Sequence, residues 1–113
     1  MTNNRFNEIA KEQLDRLEKL LIKKGNEYAL TDDRLVNFKE GAAISHWPPE
    51  KVLFGYMLKH LTSLTTMINS DEKFTRDLWQ EKLGDIMAYC ILLLAVLEDD
   101  KMFLDDDKMF ENK

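Results

Sequence analysis

The chain has 113 residues, with 21 acidic and 16 basic side chains and a formal charge of −5 at pH 7. That length supports one domain with a modest core, and the acidic balance excludes the basic footprint of a duplex-binding protein. Four glycines and two prolines, against plentiful Leu, Lys, Glu and Met, favour helix over strand.

The charge is unevenly placed. Residues 98–113 hold seven acids and three lysines, whereas residues 1–97 hold 14 acids and 13 bases. The body is nearly neutral and the tail carries the acidity. Residues 2–7 are polar apart from Phe6, so no leader peptide is expected. The longest apolar run, residues 86–97, covers 12 positions, short of the ~20 that a membrane span requires. A soluble cytoplasmic protein without a membrane partner is expected. Cys90 lies inside that run and is expected to be a buried, inert thiol.

A first helix is predicted from residue 3 or 4 to residue 24, because Phe6, Ile9, Leu14, Leu17, Leu20 and Leu21 recur at three- and four-residue spacing. Glu12 with Arg16, and Asp15 with Lys19, form i,i+4 pairs on its wet side. Lys23 and Lys24 ahead of Gly25 read as a helix stop with glycine at C′. Residues 26–31 form a loop. Thr31 or Asp32 then caps a shorter helix running to about residue 44, with Leu35, Phe38 and Ala42 facing inward.

Ser45-His46-Trp47-Pro48-Pro49 breaks the chain, and His46-Trp47-Pro48-Pro49 reads as a hydrophobic plug at the end of a bundle, with a recognition surface as the alternative. A third helix is predicted over 49–68, with Leu53, Met57, Leu61, Leu64 and Ile68 on one face. A turn at Ser70-Asp71-Glu72 leads into a fourth helix over 75–97. The fold class is therefore all-α: an antiparallel bundle of three long helices and one short one, formed by residues 1–98. Residues 99–113 make an acidic tail or short helix.

Two polar islands interrupt this apolar pattern. On the fourth helix, Leu78, Glu81, Asp85, Tyr89, Leu92 and Val96 share one stripe at 100° per residue. Glu81 and Asp85 are i,i+4 neighbours whose carboxylates can converge on one Mg²⁺, with Gly84 allowing close approach. An ordinary salt bridge for Glu81 and a Tyr or His donor for Asp85 are the plainer alternative. On the third helix, Lys59 and His60 can supply a permanent and a switchable cation for phosphate, and a satisfied core histidine is the plainer alternative for His60.

The other island is the loop. Lys24 and Arg34 can face an anion, Tyr28 offers a stacking face, and Asn37 offers bidentate amide recognition. Glu27 can accept from a base or sugar, or serve as a further metal ligand. A plain capped connection is the alternative there.

The order Lys24-Gly25-Asn26-Glu27-Tyr28, Asp33-Arg34-Leu35-Val36-Asn37-Phe38-Lys39, Met57-Leu58-Lys59-His60 and Glu81-Lys82-Leu83-Gly84-Asp85 with Tyr89 resembles a family of small phage-encoded all-α proteins. That family is distantly similar to the MazG-type nucleotide pyrophosphohydrolases. The resemblance, over about residues 14–98, implies a bacterial host cell, a MazG-like bundle and a nucleotide ligand. It implies Mg²⁺ held by acidic pairs, and a dimer or higher homo-oligomer.

The sequence departs from the MazG ligand set. Gly84-Asp85 matches the end of one motif, but Lys82 stands three residues before Asp85, and the nearest glutamate is Glu81. The first motif has no convincing counterpart. Losing part of the set impairs catalysis and leaves a nucleotide-shaped pocket. The reading expected is nucleotide binding, as sequestration of an immune signal (anti-defence) or nucleotide handling. Lys24, Glu27, Tyr28, Arg34, Asn37, Lys59, His60 and Tyr89 would line the site, and Glu81 and Asp85 would hold any metal. A Mg²⁺-dependent pyrophosphohydrolase and a non-catalytic interaction module are the alternatives. An oligomer is also expected from Leu83, Met87, Cys90, Leu94 and Leu97, which lie opposite the Asp85 stripe.

Overall fold

The computed structural model describes residues 1–25 and 32–104, and the Lys24 side chain is not among the groups described. The described residues are all-helical. Helix α1 spans Asn3–Glu18 and continues as a π-helical segment over Lys19–Lys24. Helices α2 (Val36–Ser45), α3 (Pro49–Ile68) and α4 (Arg76–Asp99) follow. Helix α4 packs on both α3 and α1, and α2 packs on α3. Among the described residues, no helix is long and apolar enough to cross a membrane.

Local chemistry sets most boundaries. Thr2 accepts the Arg5 amide and Thr75 accepts the Leu78 amide, so each caps its helix. Pro48 and Pro49 open α3, where a missing N–H is harmless. The Ser70 hydroxyl accepts the Glu72 amide in the turn between α3 and α4. At the far end of α4, Lys101 adopts φ 57°. Its amide reaches Glu98 O while the Met102 amide reaches Leu97 O, closing a Schellman motif two residues beyond the expected end.

Two further expected boundaries differ. Gly25 has φ −58° and ψ −42°, so it stays right-handed and does not stop the helix as a C′ glycine. Helix α2 begins at Val36, because the Asp33 carboxylate accepts the Leu35 amide and holds a turn there instead of capping a helix from residue 32. No side chain caps α2. At the other end of α2, His46 takes φ 63° and ends the helix ahead of the two prolines.

The core is small. Among the described residues only Phe38, Leu53, Met67, Ala88 and Val96 are buried, and Leu53 is fully so. Phe38, Leu53 and Val96 form one cluster, flanked by Leu35, Val52, Tyr89, Leu92 and Leu93. The inward face of α4 is thus the stripe that holds Asp85 and Tyr89. Helix α1 buries no residue at all. Phe6 and Leu14, expected on its inner stripe, are exposed, as is Ile68 of α3, whose place is taken by Met67. Cys90 is exposed, contrary to expectation, because it lies on the outer side of α4. Trp47 is exposed as well and plugs nothing.

Candidate functional site

Asp85 sits where α1, α3 and α4 meet. Its side chain is 31% exposed, and its Oδ2 lies 3.6 Å from Nδ1 of His60, itself 25% exposed. That separation is an ion-pair distance when the imidazole is protonated, and too long for a direct hydrogen bond. The His60 ring leans on Tyr89, with centroids 5.0 Å apart and planes at 39°. Burial pushes the Tyr89 hydroxyl pKa up, the Asp85 charge adds to this, and Tyr56 contributes further. Tyr89 therefore remains a neutral donor at physiological pH.

Asp85 lines two hollows. The first is a groove of about 460 Å³ between α1 and α4, with Gln13, Arg16 and Lys19 on one wall and Asp77, Gln80, Glu81 and Asp85 on the other. Gly84 lies between the acids, and a Cβ built on it meets nothing within 4 Å, so the glycine opens onto free space. The second hollow, about 270 Å³, adds Arg34, His60 and Tyr89 to Asp85. Tyr89 in turn borders a third, of about 400 Å³, with Asn37, Phe38, Glu40 and Tyr56. Shared walls at Asp85 and Tyr89 set the three in succession along α4.

The expected site is thus brought together in part. Glu81 and Asp85 share a groove, His60 and Tyr89 adjoin it, and Asn37 lies two hollows away. Arg34 lines the second hollow and also reaches the π segment. Its Nη2 donates to the Leu21 carbonyl at 2.8 Å, and the guanidinium fills the space beside Gly25. The π segment widens the helix at Leu21, and a charged donor from outside satisfies that carbonyl. Lys59 is exposed and lines none of these three hollows. Glu27 and Tyr28 fall outside the described residues.

Arg16 and Lys19 are the groove cations that sequence reasoning assigned to the wet side of α1. Lys19 does pair with Asp15, at 3.3 Å. Glu12 does not pair with Arg16. It reaches Arg76 of α4 at 3.1 Å and Arg5 at 3.8 Å. Arg16 makes no ion pair among the described residues and lines the groove. The only available signal was its place next to Leu17 and one turn before Leu20, at the border of the stripe.

The groove thus has cations on one wall and carboxylates on the other. Two carboxylates with open space beside them suit Mg²⁺, which keeps waters and takes substrate phosphates as its remaining ligands. Among the described residues no three His, Cys, Asp or Glu side chains gather at one point. Comparison with known proteins gives no match to a family model, a curated protein or a solved structure.

Proposed function

We propose that the protein binds a nucleotide, or a signal molecule derived from one, in the groove between α1 and α4. The observation that carries this is Asp85, a carboxylate drawn partly out of water and bordered by hollows on either side. Partial burial of an acid is unfavourable unless a partner or ligand compensates it, and His60 at 3.6 Å is only an indirect partner. Arg16 and Lys19 meet the phosphates, as charge-assisted donors. The aromatic hollow of Tyr56, Phe38 and Tyr89, edged by Asn37 and Glu40, takes the base. The resemblance to phage proteins supplies the role: sequestering or handling a nucleotide signal in the bacterial cytoplasm.

A second reading is a Mg²⁺-dependent pyrophosphohydrolase, favoured by Glu81 and Asp85 facing one groove. When bound there, Mg²⁺ neutralises phosphate charge. Glu81 and Asp85 would hold it, while Arg16 and Lys19 would orient the phosphate chain.

One experiment separates the readings. Protein freshly purified from cells is examined by native mass spectrometry, then incubated with a nucleotide panel with and without Mg²⁺. Intact ligand recovered after heat denaturation supports binding, and release of pyrophosphate supports the enzyme. A chain that carries no small molecule and shows no thermal shift with any nucleotide rules out both.

A further inference from the structure

The hollow of about 400 Å³ beside Tyr89 differs in chemistry from the groove that holds Arg16 and Lys19. Among the described residues no Lys, Arg or His borders it, and its one charged wall residue is Glu40. Phosphate is repelled there. Tyr56 and Tyr89 supply aromatic surface, and Tyr56 leans on Phe38 with centroids 6.1 Å apart and planes at 58°.

Helix α2 carries the polar edge of this hollow. Asn37 and Glu40 stand three residues apart, so they share one helix face. Neither side chain makes a hydrogen bond or ion pair among the described residues. The positions three and four away from Glu40 are Val36, Asn37, Ala43 and Ile44, so α2 offers it no cation. Lys39, next to it, is held by Asp33 and Asp99. Gly41 sets how near this edge lies to α3. A Cβ there falls 2.8 Å from Cγ1 of Val52, one turn before Tyr56, so only glycine lets the two helices approach this closely. An amide and a carboxylate are thereby fixed on a packed helix at the rim of an aromatic hollow.

We infer that the base taken up in this hollow is guanine, an assignment that rests on the nucleotide reading. A carboxylate only accepts, and its two oxygens call for two adjacent donors. Among the common bases guanine has that pair, at N1–H and the N2 amino group. Adenine and cytosine set a ring-nitrogen acceptor beside their amino group, which a carboxylate oxygen repels. Uracil and thymine place a single N–H between two carbonyls. Asn37, a donor as well as an acceptor, then meets the O6 and N7 acceptors of the adjoining edge. Tyr89 also borders the hollow of Asp85, which leads on to Arg16 and Lys19, so the sugar has a path towards the phosphate groove.

Equilibrium titration of the intact chain with GTP, ITP and ATP, in EDTA and again in Mg²⁺, tests this. ITP differs from GTP only in lacking the N2 amino group. GTP is expected to bind about tenfold more tightly than ITP, and more tightly than ATP by at least that factor. Glu40 is exposed, so Glu40→Gln leaves the core untouched. That variant is expected to weaken GTP about tenfold and to bind ATP no less tightly than the parent. Removing a negative charge favours any phosphate ligand, so a loss confined to guanine cannot arise in the phosphate groove. Equal affinity for the three nucleotides, a preference for ATP, or an unchanged preference in Glu40→Gln overturns guanine and leaves nucleotide binding standing. Binding of none of them overturns the nucleotide reading itself.

Discussion

Oδ2 of Asp85 stands 3.6 Å from Nδ1 of His60, and the ring of His60 leans on Tyr89, one helical turn beyond Asp85. One carboxylate thus lies beside a histidine of α3 and, by its charge, makes the neighbouring tyrosine harder to ionise. Burial is the larger cause of the Tyr89 shift and the Asp85 charge the next. Asp85→Asn is therefore expected to lower the Tyr89 pKa while leaving it above that of an exposed tyrosine. Phenolate absorbance during an alkaline titration reads this directly. A raised pKa means that the folded state holds the proton more tightly. Tyr89 then contributes stability below the ordinary tyrosine range near 10, and that stability is lost as pH rises through the folded value. An unchanged Tyr89 titration in Asp85→Asn would remove Asp85 from its surroundings.

Gly84 separates stability from binding. Mid-helix glycine costs roughly 0.5–1 kcal/mol relative to alanine, and a Cβ here meets open space. Gly84→Ala is expected to raise the unfolding free energy by about that amount in a urea titration. Gly84→Leu projects into the groove between Glu81 and Asp85. It is expected to abolish the nucleotide-induced thermal shift while keeping the far-UV helical signal. Retained binding in Gly84→Leu would place the ligand elsewhere.

Gly25 differs in what its Cβ would meet. Alanine there also gains the helix propensity of about 0.5–1 kcal/mol, but its Cβ falls on the Arg34 guanidinium. That group is the end of a flexible, exposed side chain, so it moves aside and loosens its bond to the Leu21 carbonyl. Gly25→Ala is therefore expected to stabilise less than Gly84→Ala in the same urea titration. An equal gain would mean that the π segment does not depend on Arg34.

The helices were legible in the sequence because each has a chemical start or stop of its own. Thr75 caps α4, and Pro49 opens α3. The inward stripe of α4 was equally legible, since Val96 and Tyr89 repeat at the helical period of the buried face. What escaped was partner choice between helices. Glu12 looked like the i,i+4 partner of Arg16 but found Arg76 across the bundle. Arg34, expected to face an anion, also donates to a carbonyl exposed by the π segment. Spacing along one helix cannot reveal these contacts, because they depend on how α1 lies on α4. Cys90 misled for the reverse reason: an apolar run suggests burial, but a single layer of neighbours covers only one side of α4.

Leu53 is the centre of the core. It is fully buried and touches the cluster of Phe38 and Val96, which ties α2, α3 and α4 together. Leu→Ala at such a site costs about 2–5 kcal/mol through lost transfer energy and the cavity left behind. With so few buried side chains, Leu53→Ala is expected to lower the urea midpoint further than any of the glycine variants. A loss below about 1 kcal/mol, outside that range, would show that the cluster is not where the stability resides.

Two acids near the end of the bundle respond to pH with opposite sign. The Lys39 ammonium bonds to Asp33 at 2.6 Å and lies 3.2 Å from Asp99. Together with the Leu35 amide it holds the Asp33 carboxyl below the usual carboxylate range. Asp33 thus stabilises the fold above its unfolded pKa, and that stability is lost as pH falls through the lowered value. Asp100 is shifted upward, first by sharing a hydrogen bond with Glu50 and then by burial and the negative charge of Glu50. Glu50 Oε2 is itself buried without a hydrogen-bond partner. The contribution of Asp100 is present below its unfolded pKa and disappears as pH rises through the folded one, leaving two facing carboxylates at neutrality. Asp100→Asn supplies an amide donor to Glu50 and removes the repulsion. It is expected to raise the melting temperature at pH 7 and to leave it unchanged at acid pH, where Asp100 is already protonated. Asp33→Asn is expected to lower the melting temperature at pH 7 and to converge with the parent in acid. A thermal melt series across pH distinguishes them, since the two difference curves must diverge in opposite directions from a common acid limit.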